Sequence, residues 1–186
     1  MHLTKLYGYV ILQTGSPMQT YSPSAVANFY LKKAKHECMP LTQMKLHKLI
    51  YFAHGWGMGI THKPLLNETV QAWQFGPVVP SVYREFVEYG SRPIDRLATE
   101  FSDWIFETPD IDPDDREAVA LLDRIWNVYG KFSAAQLSAM THEVGSPWHE
   151  TWNASGGIKS EIPNRRIEEY FAARAAANRN ARRPAG

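Results

Sequence analysis

The sequence predicts a mostly α fold of the α+β class: a compact single-domain helical bundle with a small β-hairpin. Three observations predict it. Capped or proline-initiated helix starts recur along the chain, at Ser22-Pro23, Thr42, Pro80-Ser81, Asp112-Pro113, Ser133 and Pro163. Apolar residues follow these starts at helical spacing, and only around Leu65–Phe75 does the pattern shift to short extended pieces. The length of 186 residues suits one domain. A domain near ~150 residues buries roughly 70% of its unfolded surface, so no staple is required.

Ser22, Pro23 and Ser24 begin a helix running to about Lys35, with Val26, Phe29, Tyr30 and Lys33 along one side. Pro40 breaks the chain. Thr42 then caps a second helix carrying Leu46, Leu49, Ile50, Ala53 and Trp56, the central core helix. The series Gly55, Gly57, Gly59 is expected to end it near Gly59. Leu65-Leu66 and Thr69–Phe75 read as the two arms of the hairpin. A third helix opens at Pro80 or Ser81, turns Val82, Phe86 and Val87 inward, and stops at Gly90. Residues Ser91–Ile111 read as a loop with little regular structure.

Asp112-Pro113-Asp114-Asp115 combines a cap, a first-turn proline and acids at the positive dipole end of a fourth helix. Its apolar face is Leu121, Leu122, Ile125, Val128 and Tyr129, with Gly130 at its end. Ser133-x-x-Gln136 is a capping-box pattern for a helix with Leu137 and Met140 inward. Gly145, Pro147 and Gly156-Gly157 mark turns around Trp148 and Trp152. Pro163 begins a last helix with Ile167, Tyr170 and Phe171. These elements divide the chain into an N-terminal extension over 1–20, a domain over 21–171, and a basic, disordered tail over 172–186. Met18 is a second start-like methionine, so the segment before it is expected to contribute little to the fold.

Composition excludes more than it selects. Hydrophobic content of 44%, charged content of 21% and a net charge of +1 make no global case for nucleic acid or a membrane. No run approaches the roughly 20 apolar residues of a bilayer span. Leu3–Leu12 lacks the clean apolar core and cleavage site of a signal peptide. The single cysteine, Cys38, fits a reducing cytoplasm. Four arginines in the tail give at most a modest phosphate-binding term, so nucleic acid is not an expected partner.

Catalytic patterns are not evident. Cys38 has His36 and Glu37 as sequence neighbours, which does not make a dyad. His47 and His54 lie two helical turns apart, about 10.5 Å along the axis, too far for one ion. His142 and His149 flank a Gly-Ser-Pro turn and could converge, with Glu143 and Glu150 adjacent. They are the residues an enzyme or small-molecule site would use. No P-loop, nucleophile elbow or dinucleotide-binding glycine pattern occurs, so no cofactor or metal is expected.

The most specified stretch is Ala72–Tyr83, with Trp73, Phe75, Gly76, Pro77, Val78, Val79, Pro80 and Tyr83. Its prolines force an extended, locally rigid corner that sets the geometry of Trp73 and Phe75. Trp73 reads as core or interface anchor, and Phe75–Val79 as an exposed contact site. Together with Leu46-x-Lys48-Leu49-Ile50-Tyr51-Phe52-Ala53-x-Gly55-Trp56, this corner resembles the Panacea domain, a family that includes SocA-like antitoxins and phage-associated proteins. Leu137-Ser138-x-Met140-Thr141-His142 with Ser146-Pro147-Trp148 is similar to its downstream motif. The resemblance implies an antitoxin that neutralises a cognate protein toxin by direct binding, without catalytic residues. A variant within the family is an adaptor that presents its toxin to a cytoplasmic protease. Trp73, Phe75, Gly76, Pro77, Val78, Val79, Tyr83, His142 and Trp148 are the candidate toxin contacts.

Overall fold

The computed structural model describes residues 18–181. Their elements run α1 (Pro23–His36), α2 (Gln43–Thr61), β1 (Gln71–Trp73), β2 (Gly76–Val78), α3 (Pro80–Phe86), β3 (Glu100–Ser102), β4 (Ile105–Glu107), α4 (Arg116–Tyr129), α5 (Ala134–Thr141), α6 (Pro147–Ala154), β5 (Ser160–Glu161) and α7 (Asn164–Asn180). The mostly α, α+β class is therefore observed.

Helix α2 is the centre. Gln43 and every residue from 45 to 59 are buried, as a helix with no solvent face must be. The glycine series does not end it. It continues to Thr61 and closes on His62, whose φ of 58° is left-handed and whose N–H bonds the Met58 carbonyl. The glycines serve helix packing instead. A Cβ on Gly55 would lie 2.2 Å from the Phe171 ring, and one on Gly59 would lie 2.6 Å from the Phe171 backbone. Helix α7 thus lies directly on the α2 backbone, and Phe171 fills the groove with its ring edge-on to Tyr51, Phe52 and Trp56. Phe52 stacks on Tyr129 of α4 at 4.2 Å, and the Trp56 indole donates to the Tyr129 hydroxyl at 2.9 Å.

The surrounding helices follow their caps. Ser22 Oγ accepts from the Ala25 N–H, and Pro23 occupies the first turn of α1. The Ser133/Gln136 capping box forms in full at α5. Helix α4 starts later than expected. Asp112 closes a local turn by accepting from the Asp114 N–H at 2.9 Å, and Asp115 is the true cap, accepting from the Ala118 N–H at 3.0 Å. Asp115 also accepts from the Gln19 N–H and the Tyr21 hydroxyl, so one buried carboxylate serves three donors. Helix α7 runs past Ala172 to Asn180, because the Ala-rich stretch favours helix and Ala175 is buried. Residues 1–17 and 182–186 lie outside the described residues. Met18–Thr20, assigned by sequence to the extension, are joined to the domain: Met18 is buried and Thr20 bonds the Pro64 carbonyl.

Two hairpins replace the one expected. Leu66 pairs with Tyr21 in an isolated parallel bridge, while β1 pairs with β2, the corner itself, at register Gln71↔Val78, Ala72↔Pro77 and Trp73↔Gly76. Strand β5 adds to the other side, giving the order β2-β1-β5. Pro77 sits on the edge strand, where a missing N–H is tolerated. The second hairpin, β3–β4, rises from the segment read as loop. Val87 starts a short 3₁₀ turn, Val87–Tyr89, and points outward, while Val82 and Phe86 are buried.

Candidate functional site

The signature corner is a locked piece of core with one exposed residue. Gly76 has φ +104°, a region that L side chains rarely enter. A Cβ there would also lie 2.7 Å from Lys48 Nζ and 2.8 Å from Thr141 Oγ1. Lys48, on α2, is fully buried, and its ammonium donates to the Pro77 carbonyl at 3.2 Å. Burial lowers its pKa to about 7. His47 Nδ1 accepts from the Val79 N–H at 3.4 Å, and burial, with Lys48 adding repulsion, pushes its pKa down to about 3. One turn of α2 therefore holds both β2 and the start of α3.

The remaining bonds close the corner from the other side. Ser138 Oγ donates to the Phe75 carbonyl at 2.9 Å. The Trp148 indole donates to the Trp73 carbonyl at 2.8 Å, and His142 stacks on Trp148 at 3.7 Å between centroids. Trp73 packs on Tyr83, with the Lys159 ammonium 3.7 Å from its ring centroid. Of the nine candidates, Gly76, Pro77, Val78, Val79 and Trp148 are buried, Trp73, Tyr83 and His142 are half-buried, and Phe75 is 62% exposed. The expectation of an exposed Phe75–Val79 surface therefore reduces to Phe75. The strand pairing and the buried α2 side chains enclose the other four.

The two histidines take different partners. His142 lies against Trp148, and burial and then Lys48 lower its pKa. His149 meets the Gly145 N–H at 3.4 Å and the Asn153 amide at 3.0 Å. Among the described residues, no group of three or more His, Cys, Asp or Glu is placed to hold a metal ion. His54 joins α2 to two other segments: its Nδ1 accepts from the Leu66 N–H and its Nε2 faces Asn164 Oδ1 at 3.2 Å. Burial lowers its pKa to about 4. Beside the corner, a pocket opens between Tyr51, Tyr129, Thr141 and Tyr170, with the Glu143–Arg174 ion pair in its lining.

Sequence reasoning passed over two features: Lys48 as the buried cation under the corner, and the β3–β4 hairpin. The hairpin signal was legible as Phe101, Trp104, Ile105 and Phe106 within six residues. The structure leaves them 60%, 91%, 54% and 77% exposed.

The family model described as Antitoxin SocA-like, Panacea domain matches residues 46–149, from the α2 core through the corner to α6. The chain is similar to the protein Antitoxin SocA of Caulobacter vibrioides (strain NA1000 / CB15N). The two are 35% identical over 160 residues, 82% of this chain and 84% of that one. No solved structure matches. No described helix is long and apolar enough to cross a membrane. With more than half of the chain matched by the family model, and the corner and its α2 supports inside that match, the chain belongs to the SocA-like antitoxin family and carries its Panacea domain.

Proposed function

We propose that this chain is a non-catalytic antitoxin that neutralises a cognate protein toxin by direct binding in the cytoplasm. The observation that carries this reading is the match with Antitoxin SocA, which extends over more than four-fifths of both chains. The geometry supports it. Three buried titratable groups of α2 hold backbone: Lys48 holds Pro77, His47 holds Val79, and His54 holds Leu66. Such groups fix a shape, which is what a binding scaffold requires. On the corner face, Phe75 is the contact residue, with Trp73, Tyr83 and His142 behind it; Gly76, Pro77, Val78, Val79 and Trp148 support it from within. A standard interface of about 800 Å² per partner is enough to occlude a toxin's working surface.

Co-expression with the protein encoded beside the gene tests this. Growth arrest by that protein alone, relieved by the chain, with a complex that co-purifies, is the expected result. Arrest that persists with both proteins at comparable levels overturns the reading.

A further inference from the structure

The β3–β4 hairpin is held firmly at its base and left open at its tip. Asn28, fully buried on α1, donates to the carbonyls of both Ala98 and Pro109 and accepts from the Ala98 N–H at 2.7 Å. Those residues flank the two legs, so one amide clamps both. Buried Ala98 and Ile111 anchor the same legs, and Lys32 of α1 pairs with Asp110. An isolated two-stranded ribbon is marginal in water, and this clamp is what fixes its orientation.

The tip contradicts the pattern of a solvated loop. Phe101 and Phe106 are cross-strand partners with rings 5.0 Å apart, and Trp104 stands edge-on to Phe101 at 6.4 Å. Clustered apolar exposure of this kind marks an interaction surface. The two-residue turn Asp103-Trp104 has φ of 48° and 67°. The second position of such a turn suits glycine, so the tryptophan there sits against backbone preference.

Charge selects the occupant. From Leu97 to Asp115 the chain holds seven acids and no Lys, Arg or His. Glu100 and Glu107 sit directly opposite each other across the ribbon, a destabilising like-charge pair. Neither they nor Asp103 has an ion-pair partner among the described residues. In a twofold contact between two copies, these acids would meet their own counterparts. Residues 1–17 offer one lysine.

We infer that the hairpin inserts into a basic, apolar-floored groove on the cognate toxin, with Trp104, Phe101 and Phe106 as anchors and the acids facing its cationic walls. This rests on the antitoxin reading above and names the surface and the partner chemistry.

The test uses the full chain and the co-encoded toxin, with affinity and melting temperature measured for wild type, Trp104→Gly and Phe106→Ser. Trp104→Gly suits the left-handed backbone, so it keeps the melting temperature while affinity falls about 30-fold or more. Neutralising Glu100, Asp103 and Glu107 together slows association about tenfold at low salt. Unchanged affinity in these variants overturns the hairpin docking alone. Absence of any wild-type complex overturns the antitoxin reading and this docking with it. Two other outcomes overturn the assignment of occupant: a wild-type homodimer that Trp104→Gly makes monomeric, or a tenfold gain in toxin affinity on deleting residues 1–17.

Discussion

The two hairpins of this domain are built from strands of the same length and have opposite environments. The β1–β2 corner is rich in aromatics and prolines, and the core absorbs nearly all of it. Its Gly76, Pro77 and Val78 are buried, its backbone is held by Lys48, His47, Ser138 and Trp148, and a third strand covers one side. The β3–β4 hairpin has no third strand, and its Phe101, Trp104, Ile105 and Phe106 stand in solvent. The difference teaches that a conspicuous sequence motif and a contact surface are separate things. A motif dense in special backbone residues marks where the fold is most constrained. A cluster of apolar side chains without partners marks where a partner is accommodated.

The largest effects should come from the scaffold side. Phe171→Ala empties the groove over Gly55 and Gly59 and should remove about 3–5 kcal/mol of stability, read by urea unfolding. A loss below 1 kcal/mol would mean that α7 is not the lid of the core. Gly59→Ala forces a Cβ to within 2.6 Å of α7 backbone and should cost about 1–3 kcal/mol. Gly76→Ala should cost a similar amount, from its positive φ and its contact with Lys48.

Smaller effects follow from proton linkage. His47 and His54 have folded pKa values of about 3 and about 4, below the ordinary 6.5. The unfolded chain therefore binds more protons between those values, so stability falls as pH drops from about 6.5 toward 4. A urea midpoint at pH 5 equal to that at pH 7 would contradict buried, neutral imidazoles. Lys48, lowered to about 7, works in the alkaline window. The unfolded state keeps its proton to about 10.4, so stability rises from pH 7 toward 10, and Lys48→Met should flatten that rise. The smallest effect belongs to the open hairpin: Phe106→Ser should change stability by no more than about 0.5 kcal/mol.

Much of the fold was readable because local chemistry decides it. The Ser22 cap, the Ser133/Gln136 box and the spacing of Leu46, Leu49 and Ile50 act within a few residues, and the structure keeps them. The misses are tertiary. Nothing near Gly55 or Gly59 in sequence reveals that Phe171, more than a hundred positions on, needs their missing side chains. Asp115 takes the cap from Asp112 because Gln19 and Tyr21 converge on it. The site was harder to read. Hydrophobicity marks Val78 and Phe106 alike and both lie in paired strands; only the packing of β2 against α2 decides that one is enclosed and the other exposed.

The most direct test sets Gly76→Ala beside Trp104→Gly, with melting temperature and toxin affinity measured on the same preparations. The corner, a scaffold that offers Phe75 alone, and the hairpin, the main contact, predict opposite responses. Gly76→Ala lowers the melting temperature and, through Phe75 alone, weakens binding by no more than a few-fold, whereas Trp104→Gly leaves the melting temperature unchanged and weakens binding about 30-fold or more. The reverse pairing, with Trp104→Gly binding as wild type and folded Gly76→Ala failing to bind, would contradict it.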